Sequence, residues 1–148
     1  MTAAHENPNG ADRPPSACPV KPMLAGSPLR RILRSFGFAA QGIAHVFLTQ
    51  PNFWVHALAA VLVVAFASWL GTTPAETGVL ILAIGVVLAA EMFNTACEAM
   101  VDLMSPEYHE LARVAKDAAA GAVLICACAA ALVGLVVLGP RLLARLFG

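Results

Sequence analysis

The chain has 148 residues, of which 59% are hydrophobic and only 12% are charged, with nine basic and nine acidic side chains. A water-soluble globular domain usually carries about 25% charged residues, so too few charges remain here to cover a soluble surface. The mean hydropathy of +0.77 agrees. The composition therefore excludes a disordered protein, a nucleic-acid-binding protein and an ordinary cytosolic enzyme, and the length allows one domain.

Residues 1–28 have no apolar stretch of the kind found in secretory signal peptides, and they are rich in proline, alanine, asparagine and serine. Such a segment buries too little apolar surface to offset its ordering entropy. It is predicted to be a disordered cytoplasmic tail, followed by a single domain over residues 29–148. The four cysteines form no C-x-x-C pair, which argues against a disulfide framework or a zinc site.

Residues 29–48 show an amphipathic pattern. Apolar side chains recur there at helical spacing, and three arginines gather on another face of the helical wheel. The pattern predicts a basic helix that lies in the interface of an anionic membrane. An amphipathic helix packed against other protein is the alternative.

Three later segments are long and apolar enough to cross a membrane. Residues 53–70 and 118–139 contain no Asp, Glu, Lys or Arg, and residues 77–101 carry charges only in their second half. A membrane span needs about 20 apolar residues and must satisfy its own backbone hydrogen bonds, so each segment is predicted to be helical. We therefore predict an all-α membrane protein with one surface helix and three transmembrane helices. Buried helices of a soluble protein are the alternative, disfavoured because no polar faces remain to cover them.

The basic residues predict an orientation. Three arginines precede the first span, and an arginine and a lysine lie in the predicted loop 102–117, whereas the turn 71–76 has no basic residue. By the positive-inside rule, the N-terminus and the 102–117 loop face the cytoplasm and the turn faces outward. Arg141 and Arg145 then fall on the outside, against the rule.

An acidic stripe runs along the end of the second span. Glu91, Asn94, Glu98 and Asp102 are separated by steps of three, four and four, which places them on one face of a helix. Glu91 lies about 21 Å along the helix from residue 77, just inside the boundary of a hydrocarbon core about 30 Å thick. Ionisable side chains in a span are costly and usually functional. A hydrated helix end would explain Glu98 and Asp102 but not Glu91 and Asn94.

Lys116 and Asp117 follow at the start of the third span. Carboxylates hold a divalent cation that neutralises nucleotide phosphates, a lysine adds a positive charge on those phosphates, and a further carboxylate can take a proton from an attacking hydroxyl. Together with the stripe, these residues favour phosphoryl transfer at a membrane surface. An ion pathway and a proton-coupled carrier stay open, although both would favour polar groups near mid-span.

The stripe is also a recognisable motif. Residues 91–102, EMFNTACEAMVD, resemble the E-x-x-N-[ST]-A-x-E-x-x-V-D motif of the prokaryotic diacylglycerol kinase and undecaprenol kinase family. The segments EYHEL, AKD and AGAVL, at 107–111, 115–117 and 120–124, resemble the region that follows it. The likeness covers about residues 31–139, and the chain has no G-x-x-x-x-G-K-[ST] phosphate-binding loop.

The resemblance implies a small homotrimeric enzyme of the bacterial cytoplasmic (inner) membrane, which transfers the γ-phosphate of MgATP to a lipid hydroxyl. On matching positions it implies that Glu91 is the general base and that Glu98 binds Mg²⁺. It also implies that Asn94 positions the substrate and the phosphate.

The resemblance further implies a nucleotide site at the start of the third span. Lys116 and Asp117 would contact the nucleotide, and Asp102 would support that region and help to position phosphate. Arg31 matches a basic residue that lies near the nucleotide in the family's surface helix.

The chain departs from the family pattern ahead of the first span. The pattern E-x-N-x-R-x-H corresponds to QPNFWVH, residues 50–56, in which Asn52 and His56 match. Gln50 replaces a metal-binding glutamate and Trp54 replaces the arginine. A neutral amide is a weaker magnesium ligand than a carboxylate, so a catalytically inactive structural or lipid-binding member is one alternative.

The substrate has two candidates. The segment EYHELA resembles the diacylglycerol kinase branch, which predicts conversion of diacylglycerol to phosphatidic acid. The segments NTA and AAGAVL resemble the undecaprenol kinase branch, so undecaprenol is the alternative lipid substrate.

Overall fold

A computed structural model of the chain describes residues 27–148. These residues form four helices with no strand among them: α1 (Pro28–Thr49), α2 (Pro51–Leu70), α3 (Pro74–Met104) and α4 (Glu110–Phe147). The predicted all-α class is confirmed. The predicted tail over residues 1–28 lies outside the described residues except for 27 and 28, and Pro28 is already the first residue of α1.

The chain divides into two compact units, Met1–Phe38 and Ala39–Gly148. The described part of the first unit is the start of α1, whose side chains are exposed. There the Ser35 hydroxyl donates to the Arg31 carbonyl oxygen at 3.1 Å, one helical turn earlier. A helix is thus present where residues 29–48 predict one, and its placement in a membrane interface stays a prediction.

In the second unit, α3 packs most extensively against α4, and α2 contacts both. With 20, 31 and 38 residues, α2, α3 and α4 are each long and apolar enough to cross a membrane. The predicted spans over 53–70, 77–101 and 118–139 lie inside these helices. The prediction of three long apolar helices is confirmed.

The loop predicted over residues 102–117 is wrong in its extent. Helix α3 continues to Met104 and α4 begins at Glu110, so only residues 105–109 connect them. At 1.5 Å per residue, α3 is about 46 Å and α4 about 57 Å long, well beyond the 30 Å or so of a hydrocarbon core. Charged residues at the start of α4 do not interrupt that helix, because Arg113 pairs with Glu110 and Asp117, three and four residues away, and such pairs stabilise helical turns. At the end of α3, Asp102 instead pairs with Lys116 of α4.

The turn between α2 and α3 is closed by local hydrogen bonds. Gly71 ends α2 in the left-handed region at φ 66°, which glycine adopts without steric cost. Thr73 begins α3 with a capping box, in which its hydroxyl accepts from the Glu76 N–H and the Glu76 carboxylate accepts from the Thr73 N–H at 2.7 Å. Both ends of the turn are therefore fixed by the sequence at the turn itself.

The end of α4 folds against this turn. Arg141 donates to both carboxylate oxygens of Glu76, at 3.0 and 2.6 Å, and to the Gly71 carbonyl oxygen at 2.8 Å. Arg145 donates to the Trp69 carbonyl oxygen at 3.1 Å, and its guanidinium carbon lies 4.7 Å from the centre of the Trp69 ring. The two arginines that break the positive-inside rule are thus held by groups of the turn.

A small apolar core lies at the same end of the helices, formed by Ala67, Leu70, Leu80 and Leu138. Many other large apolar side chains point outward, including Leu58, Leu62, Leu82, Leu124, Ile125, Leu132 and Leu135. Apolar surface of this kind is unfavourable in water and suits contact with lipid. This core cluster is formed by contacts among α2, α3 and α4, and Val46 of α1 is buried outside it.

Candidate functional site

Glu91 is a buried carboxylate in the apolar part of α3. Its side chain is only 4% exposed, and the polar or charged residues buried alongside it in the described chain are Asn94 and Thr95. The Thr95 hydroxyl donates to the Glu91 carbonyl oxygen at 3.1 Å, so its role is local to the helix. The carboxylate itself needs another partner, because a buried charge without one is strongly destabilising.

That partner comes from α2. His56 Nε2 lies 3.2 Å from Glu91 Oε1, and the His56 side chain is 23% exposed. When the imidazole is protonated, the contact is an ion pair between α2 and α3.

Asn94 lies one turn beyond Glu91 on the same face. Its Nδ2 donates to Glu98 Oε1 at 3.0 Å, which orients the side-chain amide. Among the described residues, its Oδ1 is buried and has no hydrogen-bond partner. A buried acceptor without a partner is costly, and a donor group on a ligand would satisfy it.

The His56, Glu91 and Asn94 side chains line a cavity of about 250 Å³. Its polar side is formed by α2 and α3, and its opposite wall is apolar and formed by α4. The lining residues are Asn52, Val55, His56, Glu91, Asn94, Ala120, Val123, Leu124 and Ala127. A carboxylate and an amide thus face a small space bounded by aliphatic side chains, which suits the polar end of an amphiphilic molecule.

Asp102 and Lys116, both predicted from the sequence, are brought together. Lys116 Nζ donates to Asp102 Oδ1, and this ion pair joins the end of α3 to the start of α4. The Asp102 side chain is 66% exposed and the Lys116 side chain is 36% exposed. The pair therefore lies where a water-soluble molecule can reach it.

Asp117 is held by a second group of charges on α4. Arg113 Nη1 donates to Asp117 Oδ2 at 2.8 Å, and the same guanidinium pairs with Glu110. The Tyr108 hydroxyl also donates to Glu110, at 2.7 Å. Arg113 therefore orients Asp117, a function that the sequence alone did not assign to it.

The contact with Arg113 lowers the pKa of Glu110, which lies in the first turn of α4. Hydrogen bonds from Arg113 and then from Tyr108 lower the pKa of the Glu110 carboxyl below its usual value. Glu110 is therefore ionised at neutral pH and remains a partner of Arg113.

The two remaining predicted residues lie elsewhere. Gln50 is the N-cap residue of α2, but its side chain makes no capping hydrogen bond and does not line the cavity. Arg31 lies on α1 in the first unit.

The described residues contain no group of three or more His, Cys, Asp or Glu side chains arranged to hold a metal ion. Mg²⁺ in nucleotide-using enzymes is usually held by only one or two carboxylates, with waters and substrate phosphates completing its shell. Glu98, whose carboxylate is oriented by Asn94, meets that smaller requirement. The residues present therefore fit a magnesium ion that arrives with a nucleotide.

Sequence reasoning assigned no role to two lining residues, His56 and Asn52, although both match the family pattern ahead of the first span. His56 is the only ionisable side chain in α2. A lone ionisable residue in a membrane span normally has a partner, so its position could have pointed to Glu91. Asn52 had only its match to the family pattern as a signal.

Comparison with known proteins shows that the chain is similar to the members of one family. The family model described as prokaryotic diacylglycerol kinase matches residues 37–138. A diacylglycerol kinase of Synechocystis is 45% identical over 113 residues, which are 76% of this chain and 65% of that protein. An undecaprenol kinase of Bacillus subtilis is 39% identical over 114 residues, 77% of this chain and 93% of that protein.

A diacylglycerol kinase of Escherichia coli is 35% identical over 95 residues, 64% of this chain and 78% of that protein. This chain thus spans just under two thirds of the Synechocystis protein and most of the other two. The matched residues include all three apolar helices, apart from the end of α4.

Proposed function

Because the chain belongs to the prokaryotic diacylglycerol kinase family, we propose that it transfers the γ-phosphate of ATP to the hydroxyl of a membrane lipid. Diacylglycerol is the proposed substrate and phosphatidic acid the product. One observation carries the proposal: the buried Glu91 carboxylate faces a small cavity with an aliphatic wall. There a lipid hydroxyl can meet a base without competition from bulk water.

Glu91 acts as the general base in this proposal. Its carboxylate accepts the hydroxyl proton while the lipid oxygen bonds to the γ-phosphorus, and the bond from that phosphorus to the leaving ADP oxygen breaks. Asn94 donates one Nδ2 hydrogen to Glu98 and would donate the other to a phosphate oxygen, while its buried Oδ1 would accept from the lipid hydroxyl before that proton passes to Glu91. These contacts position the substrate and the phosphate beside Glu91.

Glu98 and Gln50 would hold Mg²⁺ that enters with ATP, and the ion would neutralise charge on the phosphates. Lys116 and Asp117 would contact the nucleotide outside the hydrocarbon region, and Asp102 would position Lys116 through their ion pair. We assign Arg31 to the nucleotide as well, on the family resemblance.

The cavity supports a lipid substrate whose reactive end is small. Sites for drug-sized molecules usually enclose about 300–1,000 Å³, and this one encloses about 250 Å³. It therefore suits the hydroxyl-bearing end of a lipid, whose chains remain in the surrounding membrane. The names of the relatives support both candidate substrates, because diacylglycerol kinases and an undecaprenol kinase are all similar to the chain.

The proposed enzyme is a homotrimer in the bacterial inner membrane, with its N-terminus in the cytoplasm. ATP is a cytoplasmic metabolite, so the Lys116–Asp102 end of the helices must face that compartment for the reaction to proceed. The distribution of basic residues supports the same orientation.

A phosphorylation assay tests the function. The purified protein in mixed micelles receives labelled MgATP and either diacylglycerol or undecaprenol, and the label in the lipid fraction is measured. We expect transfer to diacylglycerol at the higher kcat/KM. Preferential transfer to undecaprenol would reassign the substrate, and no transfer to either lipid by a folded, nucleotide-binding protein would support the inactive alternative.

A further inference from the structure

We propose that His56 is a positioning residue for the reaction: its imidazole contacts Glu91 Oε1 and fixes that carboxylate oxygen, so that the other faces the substrate. The inference rests on the proposed kinase function. It concerns an α2 residue that contacts the base without contacting the proposed nucleotide site.

The burial of Glu91 requires such a partner. Its side chain is 4% exposed, and His56 Nε2 lies 3.2 Å from its Oε1. A buried carboxylate needs a hydrogen-bonding partner to offset its desolvation, and a base held by a third group is a recurring arrangement in enzymes.

The lysine and the arginines of the second unit are engaged elsewhere among the described residues. Lys116 pairs with Asp102, and Arg113 pairs with Glu110 and Asp117. Arg141 and Arg145 bind groups of the α2–α3 turn. These arginines and the lysine are therefore already engaged, whereas the His56 ring faces the carboxylate.

The ionisable groups that face His56 are correspondingly few. From α3 the cavity receives Glu91, and from α4 it receives only Ala120, Val123, Leu124 and Ala127. Helix α2 itself carries no other ionisable side chain. Among the described residues, the histidine therefore has Glu91 as its one ionisable neighbour in the cavity.

The contact also directs the proton of the proposed reaction. Because His56 holds Oε1 of Glu91, the other carboxylate oxygen accepts the lipid hydroxyl proton. The lipid proton stays on Glu91 as ADP leaves and is released to water afterwards.

Two variants and a matched control test the role. His56→Leu removes the hydrogen-bonding ring at a similar volume, and His56→Gln restores an N–H donor. His45→Leu is the control, since His45 is an exposed histidine on α1. Initial rates give kcat and KM for ATP, and the circular dichroism spectrum of each protein is recorded.

We expect His56→Leu to lower kcat about 10- to 100-fold, the range typical of losing a hydrogen bond to a charged group, with KM for ATP changed little. His56→Gln should return kcat toward the wild-type value.

Two results would overturn the inference while the kinase function stands. One is a His56→Leu protein with wild-type kcat. The other is a loss confined to KM for ATP, which would assign His56 to the nucleotide. A wild-type protein that phosphorylates neither lipid would instead reject the proposed function itself.

Discussion

At the scale of single residues, the stripe on α3 separates into two environments. Glu91 and Asn94 are buried, while Asp102 is largely exposed and paired with Lys116. Glu98 lies between them and contacts Asn94. The order along the helix therefore runs from a desolvated carboxylate, suited to proton transfer, to accessible charges suited to a nucleotide.

Replacing Glu91 by glutamine should abolish turnover, because the amide has the shape of the acid but cannot accept the proton. The loss should be at least the 10²- to 10⁴-fold typical of general-base catalysis. Steady-state lipid phosphorylation measures the loss, and titration with an ATP analogue should show little change in nucleotide affinity. Wild-type turnover in this variant would mean that the base lies elsewhere.

Gln50→Glu tests the departure from the family pattern. If this position holds a metal ligand, the new carboxylate should bind Mg²⁺ more tightly, because affinity rises with ligand charge. The half-maximal rate should then need less magnesium, and kcat should be at least as high as in the wild type. Gln50 makes no capping hydrogen bond through its side chain, so helix capping does not compete with this role.

A magnesium titration at saturating ATP compares the two proteins. Gln41→Glu is a suitable control, since Gln41 is an exposed glutamine on α1. A shift for Gln50→Glu alone places the residue at the metal. Superimposable curves for all three proteins would remove Gln50 from the site.

At the scale of helices, the molecule is held at its two ends by different interactions. At one end, the α2–α3 turn is bonded to Arg141 and Arg145 of α4 and lies beside the small apolar core. At the other end, Lys116 and Asp102 join α4 to α3. The cavity is lined by α2, α3 and α4 and contains Glu91, about 22 Å along α3 from Glu76.

Arg141→Gln should therefore lower stability without affecting catalysis. It removes hydrogen bonds to the Glu76 carboxylate and to the Gly71 carbonyl oxygen. We expect the midpoint of thermal unfolding in detergent to fall by on the order of a few degrees, with kcat nearly unchanged.

The Glu76→Gln variant and the double variant identify the interaction. If the ion pair is responsible, the unfolding midpoint of the double variant should fall by less than the sum of the two single-variant changes, since the effects of substituting residues in contact are not additive. Fully additive changes would show that Arg141 stabilises the turn by another route.

At the scale of the whole molecule, the long helices set the relation to the membrane. Helices α3 and α4 exceed the thickness of the hydrocarbon core, and their excess turns carry the charged residues at the 105–109 end. Outward-facing leucine and isoleucine side chains cover the part between. The molecule is therefore built with its polar site at one boundary of an apolar span.

Cysteine labelling should show which boundary faces the cytoplasm. With Cys18, Cys97, Cys126 and Cys128 replaced, single cysteines are introduced by Ala75→Cys and Glu107→Cys, at exposed positions on opposite ends. In intact cells, an impermeant thiol reagent should modify position 75 and leave position 107 protected until the cells are opened. Labelling of position 107 alone would reverse the orientation and remove the route by which ATP reaches the site.

The sequence by itself determined the class and position of the elements. Uninterrupted apolar stretches over 53–70 and 118–139 can satisfy their backbone only as helices in lipid, so composition and length suffice to predict them. The motif over residues 91–102 was also sufficient to predict the family, which the comparisons confirm. The stripe from Glu91 to Asp102 needed only helical periodicity.

The tertiary structure decided which side chains meet between helices. Three interactions join residues that are far apart in the chain: His56 contacts Glu91, Lys116 pairs with Asp102, and Arg141 pairs with Glu76. Periodicity gives the face of each helix, but it does not give the rotation and offset of one helix against another, which side-chain packing sets. The start of α4 was likewise misjudged beside the 105–109 connection, because charge pairs three and four residues apart stabilise helical turns beyond the apolar segment that first reveals the helix.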